Sequence, residues 1–222
     1  MPSSLKQGYA SEWPLANARE RVVLSLLDGM LAGIGERARR RVERDPRAPL
    51  ADRLLARARL EARLVGLGAG SSELVAGRYS GLGDAFDIAI LVDSRSCCWV
   101  EVTGVCCEAE LESKESELGW NRKGHMYCVG SWKLEKARKY GVSSRVWYAF
   151  VVGDIGKVRF IRASLLEAIS RADTPRVLRA VLRRGENESI CVDERNWMGP
   201  RRFRDRLESA IRRFIIQTQI QG

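Results

Sequence analysis

Long apolar runs are missing: no stretch of about 18 uninterrupted apolar residues occurs, which argues against a membrane-spanning helix. The first residues, MPSSLKQGYASEWP, lack the basic-then-apolar layout of a secretory signal, so a cytoplasmic protein is expected. Histidine is down to one residue, His125, which follows a polar loop and reads as incidental rather than as a general base. Lysine is scarce: of 38 basic residues only Lys6, Lys114, Lys123, Lys133, Lys136, Lys139 and Lys157 are lysines. The six cysteines (Cys97, Cys98, Cys106, Cys107, Cys128 and Cys191) never show the Cys-x-x-Cys spacing that clamps zinc. They read as small buried hydrophobes, with one or two disulfides compatible with a hyperthermophilic source. Internal repeats and low-complexity linkers are absent too. One α/β domain over residues 49–222, behind a helical N-terminal extension over 1–48, is the expected organisation.

What is abundant is positive charge. A formal net charge of +10 with a pI near 9.7 asks for an anionic partner. Phosphate backbones are the commonest, because each neutralised phosphate releases counterions. The alternative is a basic surface with no bound partner, left by an arginine-rich composition.

Hydrophobic spacing predicts a helix over 15–44, with Val23, Leu26, Leu27, Met30 and Ile34 on one stripe, and a second over 50–66. The period then becomes extended. Residues 73–79, 85–92 and 98–105 read as consecutive antiparallel strands. The polar stretch 108–124 reads as a loop or frayed helix, followed by a helix over 126–140. The apolar run 146–154 suits a strand covered on both faces, partnered by 157–162. Helices over 164–171 and 174–184, a strand over 189–193 and a last helix over 201–216 complete the reading.

One pair of residues carries chemistry. Asp87 opens an apolar strand and Glu101 interrupts the next, where a carboxylate is costly to bury without positive charge nearby. A hairpin turning around residues 93 to 96 brings the two roughly opposite, on one face and about 5 Å apart. Two like charges there repel, so a bound divalent cation, Mg2+ or Mn2+, is the natural partner. The bland alternative has Asp87 capping a turn and Glu101 paired with an arginine.

Together these residues resemble the PD-(D/E)XK nuclease superfamily of restriction enzymes and Holliday-junction resolvases. The resemblance runs from about Ala51 to Val152: a helix, a meander with Asp87 at the first carboxylate and Glu101 at the second, a helix, and a further strand. It implies a restriction-endonuclease-like α/β fold, a mixed central sheet flanked by helices. The motif reads Glu101-Val102-Thr103, so its lysine is missing. Lys133 and Lys136 of the following helix are the candidates to replace it, on one stripe with Tyr140. Lys136-Ala137-Arg138-Lys139-Tyr140 also resembles the Gln-x-x-x-Tyr motif of several nuclease branches, with lysine at the glutamine position. Glu61 or Glu73 could supply an outer carboxylate, as an early helix does in parts of the family.

The resemblance implies metal-dependent phosphodiester hydrolysis, with DNA the expected substrate and Asp87, Glu101, Lys133 and Lys136 as the catalytic set. Trp120, Arg122 and Lys123 are candidates for nucleic-acid contact, as are Arg201 and Arg202 in the arginine-rich last helix. Trp99, Trp132, Trp147 and Tyr148 sit in regular elements and read as core. Many relatives act as dimers to cut two strands, so a homodimer is compatible with this reading. The alternatives are a silent nucleic-acid-binding module that keeps the fold without its lysine, and a structural role with an incidental basic surface.

Overall fold

The computed structural model describes residues 13–65, 86–121, 123–153, 156–172, 177–181 and 188–220. Five strands form the central sheet: β1 (Leu60–Leu64), β2 (Ile88–Val92), β3 (Arg95–Val105), β5 (Val146–Val152) and β6 (Lys157–Arg162). Their order is β1-β2-β3-β5-β6; β3 and β5 run parallel and every other pair antiparallel. A smaller antiparallel sheet, ordered β4-β8-β7, comprises β4 (Met126–Gly130), β7 (Val177–Val181) and β8 (Glu188–Asp193).

Six helices flank these sheets among the described residues: α1 (Trp13–Arg44), α2 (Leu50–Arg57), α3 (Glu108–Glu117), α4 (Ser131–Lys139), α5 (Ala163–Arg171) and α6 (Pro200–Ile220). The architecture is therefore a mixed α/β one, with a mostly antiparallel central sheet covered on both faces. None of these helices is long and apolar enough to cross a membrane.

β5 shows why both faces are covered. Its seven residues are all buried and alternate between two cores. Trp147, Ala149 and Val151 meet α1, α2 and α6 through Val23, Leu27, Ile34, Leu55, Phe203 and Leu207. Tyr148 and Phe150 meet α3, α4, α5 and the small sheet through Leu111, Leu134, Leu166, Tyr127 and Val192. Full burial of one such aliphatic or aromatic side chain is worth about 1.5–3 kcal/mol, so the two cores hold the sheet between them.

Several elements differ from the sequence reading. The second helix stops at Arg57, and Leu60–Leu64 is strand β1, paired along β2. Leu, Ala, Arg and Glu favour helix intrinsically, but the edge of β2 offers ladder hydrogen bonds that outweigh that preference. The expected helix over 126–140 is split into β4 and α4 at Gly130. The segment expected as a helix over 174–184 contains strand β7, which lies on β8. Within 108–124, residues Glu108–Glu117 form a regular helix. The expected strand over 73–79 lies outside the described residues. Cys128 and Cys191 face each other across β4 and β8 and form a disulfide, a pairing that the sequence leaves open, while Cys97 and Cys98 are free and buried.

The β2–β3 hairpin sets the geometry that matters most. Its turn residues Asp93 and Ser94 have φ of 48° and 67°, the left-handed pair that suits the twist of a two-residue turn. A two-residue turn by itself would set Asp87 against Val100 and send Glu101 to the opposite face. The ladder corrects this with one extra residue: Ile90 pairs with Cys98 but Leu91 pairs with Ser96, leaving Cys97 as a bulge. Beyond the bulge Ile88 pairs with Val100, which aligns Asp87 with Glu101. Further along β3, Gly104 (φ 153°) passes so close to β5 that a Cβ would stand 2.0 Å from the Val151 carbonyl oxygen. Only glycine fits there.

Candidate active site

Glu101 sits in the middle of β3, 2% exposed, on the face covered by α4. A buried carboxylate is tolerable only when paired. Here both of its oxygens are held: Lys133 Nζ lies 2.9 Å from Oε1 and Lys136 Nζ lies 2.9 Å from Oε2. The helical spacing of three residues is what lets both ammoniums descend from one helix face onto one carboxylate. Lys133 is fixed further by donating to the Val102 carbonyl oxygen at 2.9 Å. Tyr148, the β5 neighbour of Glu101, donates its hydroxyl to the Lys133 carbonyl at 3.0 Å and ties the start of α4 to the sheet. Burial, and then the Glu101 charge, push the Tyr148 hydroxyl well above its ordinary range.

Asp87 precedes β2 and is half-buried. Its Oδ2 accepts from the Val102 amide at 2.6 Å, and its own carbonyl accepts from the Val65 amide at 2.9 Å. Burial and the neighbouring Glu101 charge push its carboxyl up to about 6, against the opposing pull of Lys133. The structure thus brings Asp87, Glu101, Lys133 and Lys136 together.

The sequence reading missed Glu20 of α1. Its carboxyl is pushed up to about 7, first by burial and then by the charge of Asp87, with Glu101 adding to it. The adjacent Arg19 donates to the Gly104 carbonyl oxygen, which seats this turn of α1 against the end of β3. A signal did exist. Glu20 falls on the stripe of Val23, Leu27 and Ile34, so it is an acidic residue continuing the buried face of a helix. Two other carboxylates, Glu61 and Glu73, are expected from the sequence as the outer one. Glu61 is held by Arg63, with Nη2 to Oε2 at 2.9 Å, and Glu73 lies outside the described residues.

The remaining candidates that are described lie elsewhere. Trp120 is half-buried and donates to the Gly124 carbonyl oxygen at 2.9 Å. Lys123 is exposed in the same connection, and Arg122 lies outside the described residues. Arg201 and Arg202 are exposed in the first turn of α6, a helix that packs on the other face of the sheet from α4. His125 lies between Glu108 and Glu115, at 3.4 and 3.3 Å. Trp99, Trp147 and Tyr148 are core, but Trp132 is not: it is 46% exposed. Position 132 faces outward because its neighbours Lys133 and Lys136 occupy the sheet-facing side of the helix.

Among the described residues no group of three or more His, Cys, Asp or Glu side chains is arranged to hold an ion. Magnesium asks for less, since one or two carboxylates suffice when water and phosphate oxygens complete its shell. The opposed Asp87 and Glu101 meet that lesser demand, and a cation beside them would relieve the repulsion that raises Asp87.

A family model described as viral/archaeal nuclease matches residues 52–195. No curated protein matches the chain. Among solved structures, a nuclease from a fusselovirus aligns with a TM-score of 0.49 at 18% identity, over 72% of this chain and 79% of that one.

Proposed function

The chain belongs to the viral/archaeal nuclease family, and from that premise we propose that it cuts DNA in a metal-dependent reaction centred on Asp87 and Glu101. Family membership makes nucleic acid the substrate and phosphodiester hydrolysis the reaction class. The observation that carries the finer reading is the alignment of Asp87 with Glu101, with two α4 lysines on the second carboxylate. This is the arrangement expected of a PD-(D/E)XK site whose lysine has moved from position 103 to the next helix.

In this reading Asp87 and Glu101 hold Mg2+ or Mn2+, and Glu20 is the outer carboxylate. The ion, when bound, polarises a phosphate oxygen and makes a water molecule nucleophilic. The Val102 amide holds Asp87 in one orientation, facing the site. Lys133, anchored on the Val102 carbonyl, keeps its ammonium at the reacting centre when Glu101 turns toward another cation. Lys136, on the other oxygen of Glu101 at 2.9 Å, follows the phosphate. Both ammoniums oppose the negative charge that builds on the phosphate in the transition state.

The test is incubation with single-stranded, duplex and branched DNA, and the same forms of RNA, with magnesium, with manganese and with chelator. Cutting of DNA that requires the metal supports the proposal. Tight, salt-sensitive binding with no cutting under any metal would instead favour a silent binding module.

A further inference from the structure

Two exposed aromatic rings occur among the described residues: Trp132 at 46% and Tyr140 at 41%. Both belong to α4, the helix that supplies Lys133 and Lys136; Trp132 lies in its first turn and Tyr140 caps its C-terminus. The Trp132 ring centroid is 5.4 Å from Lys133 Nζ and 5.3 Å from Lys136 Nζ, the two ammoniums on Glu101. Tyr140 meets the edge of Phe86 at 6.5 Å, and Lys136 Nζ stands 4.9 Å from that same Phe86 ring. The indole leans back over the β4–α4 junction, where a Cβ on Gly130 would come within 2.7 Å of Nε1. A large apolar ring therefore stands at the surface, beside the carboxylates and inside a patch of lysine charge.

Leaving indole surface in water forgoes burial that other aromatic residues of this chain obtain. A flat ring interleaved with ammonium groups is what a strand of nucleic acid with unstacked bases requires: base faces meet the ring and phosphates meet the cations. A paired duplex offers phosphates but keeps its base faces stacked on one another. We propose that Trp132 is a stacking platform for an unpaired nucleobase next to the phosphate to be cut, and that the substrate carries exposed bases there, as in a single strand, a frayed end or a branch point. The proposal rests on the nuclease reading for the identity of the reacting phosphate. Tyr140, about 12 Å further along the helix axis, flanks the same track.

The experiment compares the full-length wild type with Trp132→Ala and Trp132→Phe. Binding of oligothymidylate is measured by fluorescence anisotropy in chelator, with a matched abasic strand and a paired duplex as further probes. Cleavage is then measured with magnesium. Trp132→Ala is expected to weaken oligothymidylate binding by at least about fivefold, with Trp132→Phe recovering most of the loss. The abasic strand should bind both forms alike, and the cleavage defect should fall mainly on KM rather than kcat.

Unchanged oligothymidylate binding in Trp132→Ala would overturn the proposal. So would an equal loss on the abasic strand, which would mark Trp132 as a prop for the lysines. Trp132-dependent binding without cutting would leave the platform standing and remove the nuclease reading. Cutting that requires Glu101 but ignores Trp132 would do the reverse.

Discussion

Lys136 follows Glu101 by thirty-five residues, yet its ammonium sits 2.9 Å from Oε2 of that carboxylate, opposite the equally close Lys133 on Oε1. Two cations therefore share one buried anion. Their roles are separated by Lys133's second anchor on the Val102 carbonyl. Lys133→Ala is expected to lower kcat on the order of a hundredfold, and Lys136→Ala by less. The double variant should lose less than the product of the two, because both act on one carboxylate. Single-turnover cleavage with magnesium checks this, and full activity in both single variants would contradict it.

The register of the β2–β3 hairpin depends on the Cys97 bulge, and its turn depends on the left-handed Asp93 and Ser94. Ser94→Gly removes the strain of a side chain at positive φ and should raise stability by about 1 kcal/mol in urea unfolding, with cleavage unchanged. Deleting Cys97 should abolish cleavage, since Glu101 would then face away from α4. Normal cutting by the deletion variant would show that the register does not set the site.

A second ionic cluster joins α1, α2 and α6. Glu208, 8% exposed, accepts from Arg37 at 2.8 Å and from Arg41 at 2.9 Å; Arg212 bonds both Glu208 and Asp52. Burial raises the Glu208 carboxyl, but the hydrogen bonds from the three arginines outweigh it and hold the group at about 2 rather than 4.5. Its contribution is thus complete above pH 4.5 and is lost as pH falls toward 2. Glu208→Ala should cost about 1–3 kcal/mol at neutral pH, since the arginines left behind are partly exposed and two of them keep Asp52. The stability gap between wild type and Glu208→Gln should narrow on acidification. A gap constant from pH 7 down to pH 2 would contradict this.

The candidate site was legible where chemistry left a mark in the local sequence. Asp87 at the head of an apolar strand, Glu101 inside another, and lysines at helical spacing in a lysine-poor chain could all be read directly. The alignment of Asp87 with Glu101 was read from a hairpin centred around residues 93 to 96, while the chain reaches it by a two-residue turn plus a bulge. Glu20 leaves a local mark, an acidic residue on the buried stripe of α1, but its place beside Asp87 is set only when the fold carries α1 to the end of β3. Trp132 reads as core from the sequence because it sits in a regular element, and nothing local reveals that the lysines claim the inward face. Leu60–Leu64 and Val177–Val181 read as helix because their strand character comes from partners distant in sequence.

The most direct test of the central claim is cleavage of DNA by wild type, Asp87→Ala and Glu101→Ala in magnesium, with binding of the same DNA measured in chelator and folding followed by thermal melting. The account predicts metal-dependent cutting by the wild type, no cutting by either folded variant, and DNA affinity close to wild type in both. Normal cutting by either variant would contradict the assignment of these two carboxylates as the centre of the reaction.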